Sequence, residues 1–324
     1  MVNVRLALQS LVLVALLAST WVIVGFALVG AGAGVVSAGR TVFAAFGLFL
    51  LLLMSRRRPP KQADDQGPVG QPARYTAWQL AALAGSGVAG YTLLSTVAIN
   101  LAGPTLPSLV LSLSPALVLL LEAVLARVRP SIPTLIATTA AIVGTALYIL
   151  PRLTEGAGPN VVVGVFAAIG AMFSMAAYSL YFAHVNRRYA GPMSPRILPI
   201  FALGSVPLVL SAGVEVAAGQ TVSLSSMAML AFVGIAIYVP AYLVQHRILL
   251  SAGAAYASLL GLAVPPLVGV ASAALGLADA PGLLQTVGIA LTLVGMVFVI
   301  RLKFAEREPV AAELHRRDAI EADR

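Results

Sequence analysis

Apolar residues run through this chain in long blocks, with polar residues gathered in short clusters between them. Cutting at charges, prolines and glycine clusters leaves ten apolar stretches. They cover approximately 6–29, 36–54, 77–98, 104–126, 132–150, 161–184, 197–216, 225–247, 254–275 and 282–302. A helix needs about 20 apolar residues to cross a hydrocarbon core about 30 Å thick. Each stretch therefore reads as one membrane span, numbered 1 to 10 in chain order. The short loops after spans 4 and 8 leave nine or eleven crossings open. The expected fold is an all-α integral membrane protein.

Composition agrees with the pattern. The chain is 60% apolar and only 10% charged, with a mean hydropathy of +0.96. A soluble domain carries about 25% charged residues, so the bilayer is the solvent these residues suit. Absence of cysteine removes disulfides, thiolate metal sites and cysteine nucleophiles. The net charge of +8 does not point to nucleic acid, because the basic residues sit in short segments between apolar blocks. Arg5 precedes more than twenty apolar residues with no convincing cleavage site, so the N-terminal stretch reads as span 1 and not as a signal peptide.

Charge also sets direction. With the N-terminus in the cytoplasm and ten alternating spans, 18 of the 20 lysines and arginines fall on the cytoplasmic side. Only Arg152 lies outside, and Arg40 falls within span 2. A miscounted span would scramble that partition. Residues 55–76 read as a mobile cytoplasmic linker, and 303–324 as a short solvated helix or a disordered tail.

The second half resembles the first at an offset of about 150 residues. Ser108, Leu109, Pro115, Leu117 and Val118 match Ser258, Leu259, Pro265, Leu267 and Val268. After one inserted residue, Ala137 and Gly144 line up with Gly288 and Gly295. The expected units are 1–150 and 161–302, five spans each. An odd number inverts the second copy across the membrane, an arrangement typical of transporters.

The stretches LPSLVLSLSPALVLLLEAVLARVRPSIPTLIATTAAIVGTALYIL and YASLLGLAVPPLVGVASAALGLADAPGLLQTVGIALTLVGMVFVI resemble the end of an EamA repeat of the drug/metabolite transporter superfamily. Span 2 resembles the family's second helix, which commonly carries an arginine near its start, here Arg40. The likeness covers roughly 6–302. It implies ten helices around a central cavity lined chiefly by spans 1–4 and 6–9, with spans 5 and 10 peripheral. Two positions depart from the family pattern. The turn after the mid-helix proline, where the family often has Glu, holds Val128 between Arg127 and Arg129, and Asp279 in the second copy. The family's acid before the second-repeat proline is Val264.

Candidate cavity residues follow from burial cost. Pro115, and Pro265 with Pro266, fall mid-span, where a proline frees a carbonyl that can face a cavity or simply kink a packed helix. Glu122 is the acid placed well inside a span, suited to a proton or substrate role or to pairing with a cytoplasmic arginine. Arg40 near the outer end of span 2 either snorkels or offers a cation to an anionic group or a gate partner. Trp21, Tyr91, Tyr178 and Tyr238 fall near mid-span, where a hydroxyl or indole N–H needs protein or a wet cavity. Asn100, His184, Gln245 and His246 sit near expected span ends and ask for no special role. Gly30, Gly32 and Gly34 fall in an expected loop, not a helix contact.

No G-x-x-x-x-G-K-[ST] or H-E-x-x-H motif is present, and Gly85-Ser86-Gly87 lacks a hydrolase frame. These readings lead to a secondary transporter of small metabolites or drug-like solutes, exporting across the plasma membrane by alternating access. It would touch lipids, use no cofactor or metal, and leave proton coupling and a homodimer open. The rivals are a membrane-embedded enzyme acting on a lipid-soluble substrate and a non-transporting scaffold.

Overall fold

The computed structural model describes residues 4–56, 74–126, 131–154, 159–187, 189, 191–276, 280–295, 297–298 and 301–302, and among them every regular element is a helix. Seven helices are long and apolar enough to cross a membrane. They are Val4–Ala27, Ala33–Ser55, Ala77–Ala102, Asn160–Val185, Met193–Ala217, Leu224–Ala252 and Ala254–Ala274, at expected spans 1, 2, 3, 6, 7, 8 and 9. Shorter apolar helices at Thr105–Val118, Ile132–Tyr148 and Leu283–Gly295 fall on expected spans 4, 5 and 10. Much of the outer face is apolar side chain, including Leu11, Ile136, Phe166, Leu210 and Val214, while Ser37, Thr41, Thr92, Ser95 and Thr96 are buried. Polar groups inward and hydrocarbon outward is the arrangement lipid demands, and the chain is a multi-pass membrane protein. Most of the 55–76 linker, the turns holding Val128 and Asp279, and the 303–324 tail lie outside the described residues.

Local sequence sets the helix ends. Thr76 and Gln79 form a reciprocal capping box at the start of span 3, at 3.2 and 3.0 Å. Ser223 accepts from the Ser226 amide at the start of span 8. Spans 3 and 8 stop at Gly103 and Gly253, whose φ of 72° and 90° suits glycine alone. Because span 8 continues to Ala252, Gln245 and His246 lie inside a helix and not at its end. The expected loop glycines also differ. Gly34 belongs to span 2, and a Cβ there would meet Ser211 Oγ at 2.7 Å.

The mid-span prolines mark breaks, not kinks within continuous helices. Span 4 is two pieces, Thr105–Leu111 and Ser114–Ala126, and Pro115 sits in the first turn of the second. Span 9 likewise divides into Ala254–Leu260, a tight turn Gly261–Ala263, and Val264–Ala274, with Pro265 and Pro266 at the new start. A proline in a first turn has no intrahelical N–H to lose. The carbonyl that faces Pro115 is Leu111's, and the Ser114 hydroxyl donates to it at 2.5 Å.

Corresponding features thus recur 150 residues apart: a wide π-helical turn (Ala84–Gly90, Val233–Tyr238), a positive-φ glycine, and a broken helix with proline in its second piece. Span 2 packs along span 7, and span 3 along span 6. Both pairs run antiparallel: Gly34 at the start of span 2 meets Ser211 and Glu215 near the end of span 7, while Gly164, Gly170 and Gly90 place span 6 against Ala102, Leu94 and Ser174 in reversed order. Spans 5 and 10 do the same. A Cβ on Gly144 would lie 2.7 Å from the Gly288 carbonyl, and one on Gly295 would lie 2.9 Å from the Ala137 carbonyl. These are the aligned positions of the two halves, exchanged.

Gly144→Leu is expected to destabilise the protein by about 1–3 kcal/mol through overpacking of this seam. A lowered thermal midpoint in detergent, with a smaller drop for Gly144→Ala, checks it.

A hollow between the two halves

A cavity of about 90 Å³ lies at mid-helix depth, surrounded by spans 1, 3, 4, 6, 8 and 9. Three aligned pairs face it across the halves: Ser108 with Ser258, Leu111 with Gly261, and Ser114 with Val264. These residues bracket the breaks in spans 4 and 9, so the interrupted helices bring backbone close to the hollow. Spans 1 and 6 add Leu17, Thr20 and Trp21 on one side and Met175, Ala176 and Ser179 on the other. Spans 3 and 8 add Tyr91, Tyr238, Tyr242 and Gln245. Spans 2 and 7 contribute nothing to its lining, which narrows the expected set of lining helices.

The candidates divide accordingly. Trp21, Tyr91 and Tyr238 line the hollow. Pro115 and Pro265 do not, although both are buried and their neighbours Ser114 and Val264 do. Arg40 is 2% exposed and does not snorkel. It reaches inward, where Nη2 donates to the Thr92 carbonyl at 2.8 Å, Ser95 Oγ at 3.1 Å and Thr96 Oγ1 at 2.7 Å, all on span 3. Its guanidinium carbon stands 5.4 Å from the centre of the Tyr238 ring. Tyr178 is buried beside the hollow, hydrogen-bonded to His246 Nε2. His246 Nδ1 meets the Tyr242 carbonyl at 2.6 Å, so Nδ1 carries the proton and, in the neutral ring, Nε2 accepts from Tyr178. The Glu122 side chain lies outside the described residues.

Tyr242 and Gln245 follow Tyr238 at four- and seven-residue spacing, a single helix face. That periodicity was legible, but treating Gln245 as a span end obscured it. Ser108 and Ser258 stood out as repeat markers without suggesting a lining role.

Contacts join the helices beyond both ends of the hollow. At one end, Glu215 on span 7 accepts from the Gly34 amide at 2.7 Å and the Val35 amide at 3.0 Å. An acid there satisfies free N–H groups and complements the helix dipole of span 2. The Ser223 amide donates to the Gly30 carbonyl and Ser226 Oγ to the Ala27 carbonyl, both at 3.2 Å. At the other end, Ser10 and Tyr256 hydroxyls bond at 3.0 Å between spans 1 and 9. Tyr75, Asn186 and Arg196 cluster on that side, with Arg196 3.7 Å from the Tyr75 ring centre. Burial pushes the Tyr75 phenol up to about 12, against the opposing pull of Arg196, so it stays protonated and donates to Asn186 at 3.1 Å.

A multi-pass helical bundle with an aromatic and hydroxyl-lined hollow at mid-depth defines a membrane protein built around an internal site. Residues 5–150 match the EamA-like transporter family, a domain type of the drug/metabolite transporter superfamily. A solved crystal structure is similar over 93% of this chain and 99% of its own, with a TM-score of 0.66 and 20% identity. At that identity the likeness concerns fold alone. No curated protein matches the chain.

Glu215→Ala should loosen the seal at the start of span 2, since removing a helix-capping acceptor costs about 1 kcal/mol. A cysteine at Ala31, which is 6% exposed, in this cysteine-free chain should then react several-fold faster with a water-soluble maleimide, with Glu215→Gln intermediate.

Proposed function

We propose that the chain is a secondary transporter of ten helices, in two inverted five-helix repeats of residues 1–150 and 161–302, carrying small solutes by alternating access. The hollow carries the reading. It lies between the halves, draws on aligned positions of both, and has a separate set of helix-joining contacts beyond either end. Opening one set while the other holds would expose the same site to each side in turn, which is how inverted repeats work. The antiparallel pairing of spans 2 with 7 and 5 with 10 supports the inversion. A hollow of about 90 Å³ is well below the roughly 300–1,000 Å³ of sites that hold drug-sized ligands. A hollow of this size therefore suits a small metabolite, and a larger solute requires the halves to part.

The lysine and arginine bias supports cytoplasmic termini and a plasma-membrane orientation, and export is the direction we assign. The described lining offers serines, tyrosines, Trp21 and Gln245 and no acid–base pair or metal-ligand cluster. This favours passage over chemistry on a lipid-soluble substrate.

The test is flux in proteoliposomes across a panel of small metabolites, with and without a pH gradient. Trp21→Ala and Tyr238→Ala should each lower flux by about tenfold, since a buried aromatic contact contributes about 1.5 kcal/mol or more. Lipid-facing Phe166→Ala should leave it unchanged. Absence of flux for every solute, or equal flux from all three variants, would refute the assignment.

A further inference from the structure

We infer that Arg40 sets a positive potential in the hollow and that the solute it selects carries a carboxylate or similar anionic group. This rests on the transport reading and names the substrate class of that same site.

Arg40 is almost wholly buried, and the partners of its Nη2 are neutral: a carbonyl and two hydroxyls. Its Nε is buried with no hydrogen-bond partner, as is the neighbouring Thr92 hydroxyl oxygen. Among the described residues no carboxylate pairs with it. Glu215, on the same flank, is held by the Gly34 and Val35 amides, about 8 Å away along the helix at 1.5 Å per residue. An unpaired cation inside a membrane protein is costly and marks a functional site by default. Stapling span 2 to span 3 needs only a neutral donor, so the retained charge calls for another role.

Position supplies that role. The guanidinium carbon stands 5.4 Å from the ring centre of Tyr238, a wall residue, and within electrostatic reach of Tyr91 and Tyr242, also in the wall. Among the described residues, no charged side chain lines the hollow itself. With low-dielectric walls and no counter-charge in the described lining, the nearest described formal charge governs the field, and clefts of this kind concentrate the opposite sign. Anions gain and cations lose, which sets this protein apart from an exporter of cationic dyes.

Butyrate, butyramide and butylamine test this with one carbon skeleton and three charges, small enough for the hollow. The chain has two tryptophans, of which Trp78 is exposed and Trp21 lines the hollow. In a Trp78→Phe background, Trp21 fluorescence at pH 7.5 reports binding. Butyrate should bind about tenfold more tightly than butyramide, and butylamine most weakly. Arg40→Gln should erase this order while keeping butyramide binding, which also shows that the variant folds; Arg40→Lys should preserve it. Equal binding of the three by Trp78→Phe protein with Arg40 intact, a reversed order, or an order unchanged in Arg40→Gln overturns the inference and leaves transport standing. No binding of any of the three overturns the inference by itself, and the transport reading falls with it only if the metabolite panel also shows no flux.

Discussion

A polar group without a partner in hydrocarbon costs several kcal/mol, and that single constraint organises this molecule. It keeps the backbone helical wherever lipid is near. It also explains where the backbone departs from helix: the breaks at Ser112–Leu113 and Gly261–Ala263 lie beside the hollow, not on the outer face. Ser114 satisfies the carbonyl that faces Pro115, and the turn at Gly261 satisfies its counterpart through the Val264 amide. Interrupted helices are tolerable only where protein or water replaces the missing bonds, so their location identifies the interior site.

The same constraint disposes the side chains. Serines and threonines bond back to their own helices, as Ser108 and Ser258 do to Thr105 and Ala255, while remaining at the cavity wall. Their hydroxyls are satisfied at rest and retain acceptor capacity for a solute. Between spans 4, 5 and 10, Ser112, Thr145 and Thr292 form a short chain of hydroxyls at 3.2 and 3.5 Å. This ties the outlying helices to the core while the glycine seam lets them approach. The contacts beyond the two ends differ in kind: a carboxylate on backbone amides at one, hydroxyl and cation–aromatic contacts at the other. Each is modest in energy, as the proposed exchange between the two ends requires.

Much of the helical layout was legible in the chain, because lipid leaves a strong signature in hydropathy, and the serines, prolines and glycines that align at an offset of about 150 residues fall at the helix breaks and the glycine seam. The prolines misled about local geometry, since a proline in the second piece of a broken helix and one kinking a continuous helix look alike until the preceding turn is seen. Gln245 and His246 were obscured because polar residues suggested a span end, whereas the positive-φ Gly253 sets it. Arg40 resembled an interfacial snorkeller by position. Only three-dimensional packing against Thr92, Ser95 and Thr96 reveals a buried charge. Glu215 stood near a span end and gave no sequence signal, because its partners are backbone amides from the other half.

Reciprocal motion at the two ends of the hollow is the central claim, and pulsed electron spin resonance measures it directly. One label pair at Val29 and Thr221 would span the Glu215 end, and another at Val4 and Ser251 the Ser10–Tyr256 end. The account predicts that each distance has a short and a long population, and that conditions lengthening one shorten the other. Two fixed single distances, or two that lengthen together, would contradict it.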